Sequence, residues 1–261
     1  MKSTRKRTSV ILGGLAGAAI WVTLWQLATT VGPLKGMAGI PTASDSFGQA
    51  FSLAGQPRFW AAVLETLTMA LTGLVIALAI GIVVGVVTGL SKGANDALDP
   101  MIQFLRPLPA VVILPLVLLI FGPTRDLGIF LAAFGAVWPI LVQVQVGVRD
   151  VDPVALDTAR SMSLSWRKTQ TAVVLPSALP YISTGVRIAA SAALLLSIGA
   201  GLLAGSPGLG KLILIAQEAA QADVAFGLIV WSGLIGTAFA IVLSLAEKSL
   251  IHGRRSVEVT S

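Results

Sequence analysis

The sequence predicts an all-α, polytopic membrane protein with six transmembrane helices. Three observations carry that reading: 55% of residues are hydrophobic and only 11% charged, mean hydropathy is +0.88, and the apolar residues gather into six runs of about 20 residues. A soluble domain carries roughly twice that share of charge. Disorder requires low hydrophobicity, and a disulfide scaffold requires cysteine, of which the 261 residues contain none. Thiolate metal chemistry is excluded with it. The 18 Lys and Arg against 12 Asp and Glu would suit a nucleic-acid binder in a soluble chain. In a membrane protein they collect instead in cytoplasmic loops, so the bilayer is the expected partner and nucleic acid is not.

A helix needs about 20 apolar residues to cross the hydrocarbon core, because it rises only about 1.5 Å per residue and lipid satisfies no open backbone group. The first such run is 10–31, preceded by Lys2, Arg5, Lys6 and Arg7. Its length exceeds a secretory h-region of about 7–15 residues and no small-x-small exit precedes Pro33, which predicts a retained anchor. The second, 66–90, carries Gly81, Gly85 and Gly89 four residues apart, a stripe suited to close helix packing. The third, 101–121, holds Arg106, Pro107, Pro109 and Pro115 and is expected to bend, with its first turn near the interface. Residues 127–148 form the fourth. The fifth, 182–204, has Arg187 close enough to one end to reach polar surroundings, and 224–246 is the sixth.

Placing the amino terminus inside puts 12 basic residues on one side (Lys2, Arg5, Lys6, Arg7, Lys92, Arg149, Arg160, Arg167, Lys168, Lys248, Arg254, Arg255) and four on the other (Lys35, Arg58, Arg125, Lys211). Both termini are therefore expected in the cytoplasm. The implied organisation is an inner tail 1–9, an anchor 10–31, an outer loop 32–62, a five-span core 63–246 containing an inner loop 149–180, and an inner tail 247–261. Within the outer loop, Pro41, Ser44, Asp45 and Ser46 read as a turn followed by a short helix. Residues 209–222 read as a second outer surface helix, where Lys211, Glu218 and Asp223 either meet a partner protein or hold the fifth and sixth spans at the interface.

The inner loop carries the functional signal. Asp152-Pro153 is a helix start, because aspartate accepts free N–H groups and proline loses no bond at the first helical position. About two turns follow over 154–162, Ser163-Leu164-Ser165 interrupts, and a second helix begins at Trp166 that Pro176 is expected to help end. Two polar helices on the inner face form a knob suited to a partner.

This loop resembles the EAA motif of permease subunits in bacterial ABC importers: Glu-Ala-Ala, three residues, Gly, nine residues, then Ile-x-Leu-Pro. Here Asp157-Thr158-Ala159 is followed at matching spacing by Ser163 and by Val173-Val174-Leu175-Pro176. Ser163 is the departure that matters most, since glycine gives a left-handed turn more readily. Over residues 61–254 the chain is similar to the nitrate, sulfonate and taurine branch, through Leu98-Asp99-Pro100, Leu105-Arg106-Pro107-Leu108-Pro109, Leu114-Pro115-Leu116, Leu179-Pro180, Gly185-Val186-Arg187-Ile188 and Gly208-Leu209-Gly210. It departs where the branch often has Ser-Leu-x-Arg, here Thr66-Leu67-Thr68-Met69, and where it often has a glutamate before Gly-Leu-Gly, here Gly199-Ala200-Gly201-Leu202.

The resemblance implies a type I ABC importer permease fold, a partner permease expected to be a second copy, two cytosolic ABC ATPases that use ATP and Mg, and an extracytoplasmic solute-binding protein. It implies a small organic or inorganic anion as solute and a bacterial inner-membrane location. The permease itself would bind no cofactor and be no enzyme, and the chain has no Gly-x-x-x-x-Gly-Lys-Ser/Thr phosphate loop. Asp157, Thr158, Ala159, Arg160, Ser163, Leu164, Leu175 and Pro176 would couple to the ATPase, with Leu164 as an apolar peg and Asp157 paired to Arg160 or a nearby N–H. Arg160, Arg167 and Lys168 are open to a second reading, attraction to anionic lipid. Arg106 is expected to snorkel to the interface or to gate the inner mouth. His252 reads as part of a solvated tail.

Gln143, Gln145, Ser191 and Ser197 lie inside apolar runs, where they line a solute path or hydrogen-bond neighbouring helices. No Asp or Glu lies deep in a span, which argues against an ion-driven transporter. A membrane enzyme would require a polar constellation that one histidine and no cysteine do not supply. The remaining alternative is a permease of another importer branch, moving a vitamin precursor, an aromatic acid or a peptide.

Overall fold

The computed structural model describes residues 2–37 and 39–255, with side chains over 13–14, 16–37 and 39–245. Residues 256–261 of the expected tail, and the side chain of His252, lie outside this set. The described chain is helical: α1 (Lys2–Thr30), α2 (Ala43–Ala54), α3 (Pro57–Leu90), α4 (Lys92–Leu105), α5 (Ala110–Phe121), α6 (Arg125–Arg149), α7 (Pro153–Ser161), α8 (Trp166–Thr169), a π turn (Gln170–Val174), α9 (Leu175–Ala204), α10 (Leu209–Glu218) and α11 (Ala222–Arg255).

Among the described residues four helical runs are long and apolar enough to cross a bilayer: Pro57–Leu90, Arg125–Arg149, Trp166–Glu218 and Ala222–Leu245. The pair α4 and α5 makes a fifth if counted as one span, broken by 90°. The six expected spans are thus four or five by this measure, and the expected anchor lies in α1. The bend predicted for the third span is real and sharp. Pro107 and Pro109 remove two N–H donors at the break, and the 12-residue α5 covers only about 18 Å of a core about 30 Å thick.

The chain packs as two compact units, one formed up to Trp60 together with Leu212–Gly233, the other by Ala61–Lys211 with the chain from Leu234 onward. In the first, Thr42 caps α2 by accepting the Asp45 N–H at 3.1 Å. Gln26 of α1 accepts the Ser44 N–H at 3.0 Å. Ser46 and Ala50 turn their buried face to Gly227, where an added Cβ would lie 2.9 Å from the Ala50 nitrogen. Trp231 donates to the Ala50 carbonyl at 2.7 Å, and its ring lies 5.1 Å from that of Phe59.

In the second unit the glycine stripe of α3 lies against α6. A Cβ on Gly81 would meet Ile140 Cγ2 at 2.8 Å, on Gly85 the Leu141 carbonyl at 2.8 Å, and on Gly89 Val148 Cγ1 at 2.9 Å. Small residues continue the theme where α6 meets α9: Ala132, Ala136, Ile140 and Val144 are buried in one cluster with Ala178, Ala189, Ala190 and Ala193. Without a hydrophobic drive between helices in lipid, such close backbone approach is what makes association favourable.

Candidate functional site

The loop expected on the inner side begins where α6 stops at Arg149, whose guanidinium donates to the Thr88 carbonyl at 2.9 Å. Val151 is buried beside Val148 and Val174, so both ends of the loop root in the apolar cluster of the second unit. Asp152 caps α7 as its residue type requires, its Oδ1 accepting the Val154 N–H at 2.8 Å with Pro153 in the first turn. Ala159 is 2% exposed and faces inward. Asp157 and Arg160 form an ion pair at 2.9 Å with both side chains largely exposed, so it orients the side chains and adds little stability. Thr158 and Ser161 return their hydroxyls to the carbonyls of Val154 and Asp157, respectively.

Helix α7 closes in a Schellman turn. The Ser163 N–H donates to the Arg160 carbonyl at 2.9 Å and the Leu164 N–H to the Ala159 carbonyl at 3.1 Å. Ser163 therefore has φ +50, the left-handed backbone that the motif's glycine supplies without cost. The substitution keeps the turn and strains it.

One expectation changes. Pro176 does not end the second helix: α8 passes through the π turn into α9, with Pro176 in the first turn of α9. The π turn lets the Leu175 N–H reach back to Gln170, a wider register in which a proline ring does not meet the turn before it. Leu164, the expected peg, is half-buried, and Val154, Met162 and Trp166 are 69%, 67% and 68% exposed. Arg167 and Lys168 are exposed beside Trp166. The loop thus exposes both apolar and basic side chains. A tryptophan and a methionine in a polar loop were the available signal for it.

Of the candidate path residues, Gln145 donates to Asn95 Oδ1 at 2.8 Å, joining α6 to α4. Ser197 is buried and donates to Ala193 within its own helix at 2.8 Å, and Ser191 does the same to Arg187 at 3.3 Å. Gln143 is half-buried against Gly185.

Each of the two stretches that depart from the branch pattern packs closely against residues 208–211. A Cβ on Gly208 would lie 2.5 Å from Thr66 Oγ1, and one on Gly201 would lie 2.7 Å from the Lys211 nitrogen. Met69, where the branch often has arginine, is buried at 0% exposure, and Ala200 of the second stretch at 1%.

Long apolar helices with a capped, exposed helix pair at one loop define a polytopic helical membrane protein. The chain belongs to the family described as binding-protein-dependent transport system inner membrane component, which its residues 77–252 match, and it is an ABC transporter permease. It is 36% identical, over 87% of its length and 86% of the relative's, to SsuC of Escherichia coli (strain K12), by name an aliphatic sulfonates transport permease protein. It is 31% identical, over 90% of its length and 88% of the relative's, to the bicarbonate transport system permease protein CmpB of Synechococcus elongatus (strain ATCC 33912 / PCC 7942 / FACHB-805). The inward-facing MetNI methionine ABC transporter contains a chain of the same fold, with TM-score 0.65 at 19% identity, covering 75% of this chain and 98% of that one.

Proposed function

We propose that this permease forms the solute path of an ATP-driven importer for a small anion of the sulfonate, taurine, nitrate or bicarbonate kind. Residues 152–176 couple it to cytosolic ATPases, and an extracytoplasmic binding protein delivers the solute. The observation that carries the coupling assignment is the exposure of the apolar side chains of Val154, Met162 and Trp166 on a helix pair whose turn is closed by Ser163. Desolvated aromatic anchors of this kind dominate protein interfaces. Arg160, Arg167 and Lys168 in the same loop favour a groove with an acidic rim. ATP and Mg act in the ATPase subunits. When ATP draws those subunits together, the docked helices move and carry α6 and α9 with them, changing which side of the path is open.

The basic-residue asymmetry supports cytoplasmic termini in the bacterial inner membrane. A second copy of the permease completes the path in this reading. The sulfonate and bicarbonate names of the relatives support an anion as solute. The test is co-purification from native membranes, followed by thermal shift of the co-purified binding protein with sulfonates, taurine, nitrate and bicarbonate. Recovery of a nucleotide-hydrolysing subunit and stabilisation by one of these anions is the expected result. Absence of any such subunit overturns the reading.

A further inference from the structure

The end of α6 and the first turns of α9 meet at a polar contact: the Tyr181 hydroxyl donates to an Asp150 carboxylate oxygen. Asp150 is the carboxyl-terminal cap of α6, its N–H bonded to Val146. The Tyr181 ring sits on Gly147, where a Cβ would lie 2.8 Å from Tyr181 Cβ and 3.0 Å from its ring. One residue before Asp150, Arg149 is tied to the Thr88 carbonyl at 2.9 Å. The pair brackets everything that projects: α7, the Ser163 turn, α8 and the π turn lie between Asp150 and Tyr181.

We propose that this hydrogen bond is a clasp across the base of the coupling segment, and that Tyr181 and Asp150 are positioning residues for energy coupling. The inference rests on the coupling assignment above. Val151, Leu156 and Val174 seat the segment on the apolar cluster, a non-directional contact that still leaves rotation at residues 150–152 and shifting of the π turn, a known site of helix adjustment, as ways to absorb a push. With the base closed by a charge-assisted hydrogen bond, the projecting helices and the ends of α6 and α9 move as one body.

The experiment uses the whole transporter, with permease, ATPase and binding protein, in proteoliposomes. Tyr181→Phe keeps the ring on Gly147 and Asp150→Asn keeps the side-chain shape. Each is expected to leave ATP hydrolysis running while solute moved per ATP falls roughly three- to tenfold, the scale of one hydrogen bond's net contribution. The double variant should fall no further than either single one, because both remove one interaction. The chain has no cysteine, so Asp150→Cys with Tyr181→Cys supplies its only thiols, and bridging them with a short bis-maleimide should restore solute moved per ATP. Wild-type stoichiometry in both single variants, additive losses in the double, or no recovery on bridging overturns the clasp. An ATPase that stays bound and coupled after Ser163→Pro and Trp166→Glu overturns the coupling assignment itself, whatever the clasp variants do.

Discussion

Thr66 and Leu209 are joined by a hydrogen bond in which the Leu209 N–H donates to Thr66 Oγ1 at 2.9 Å, while the same hydroxyl donates to the Ala62 carbonyl at 3.0 Å. Leu209 opens α10, so a side chain from α3 satisfies one of the free donors that every helix start presents. Both residues are 0% exposed, so solvent does not reach them to replace the bond. Gly208, at φ +124, is required beside it, since any Cβ would strike that oxygen.

Thr66→Val is therefore expected to destabilise the permease by about 1–3 kcal/mol, the cost of leaving a buried donor unpaired. Thr66→Ser should lose much less. Thermal unfolding of the detergent-solubilised protein checks the pair, and equal melting of the valine and serine variants would refute the capping role.

Ser163→Gly should relieve the left-handed strain and stabilise the turn by about 1 kcal/mol. Amide exchange of the Ser163 and Leu164 N–H groups should slow accordingly. Ser163→Pro cannot adopt the positive φ and lacks the N–H bonded to Arg160, so it should separate ATP hydrolysis from uptake in vesicles. Leu164→Asp should do the same, because it places a charge on a half-buried site. Normal uptake by both would remove the turn from the coupling path.

Trp166→Ala is expected to lower the affinity for the ATPase by at least about tenfold, as for other interface anchors. Met162→Ala should have a smaller effect of the same sign. Retention of the ATPase through detergent washes reads the difference, and unchanged retention for both would move the docking surface elsewhere.

Gly85→Leu drives a side chain into the Leu141 carbonyl and Val144, where even a Cβ would stand 2.8 Å away. Overpacking of this kind costs about 1–3 kcal/mol, with Gly85→Ala at the low end. A lowered melting temperature of the solubilised permease that grows from alanine to leucine is the expected outcome. At Gly93, with no heavy atom within 4 Å of an added Cβ, alanine should leave melting almost unchanged.

Much of this molecule follows from patterns that act over one or two turns. Length and apolarity of runs place the spans, Asp152-Pro153 starts α7, the glycine spacing of α3 provides a seam, and motif spacing marks the helix pair that Ser163 closes. Local patterns suffice there because hydropathy, capping and proline chemistry are properties of near neighbours. Folding alone decided the rest. It set the 90° break between α4 and α5, the π turn that carries the chain through Pro176, and the exposure of Trp166. It also joined Tyr181 to Asp150 across 31 positions and Thr66 to Leu209 across 143. Partners so far apart are selected by how whole helices pack, and a hydroxyl in the sequence carries no mark of the donor that packing will bring to it.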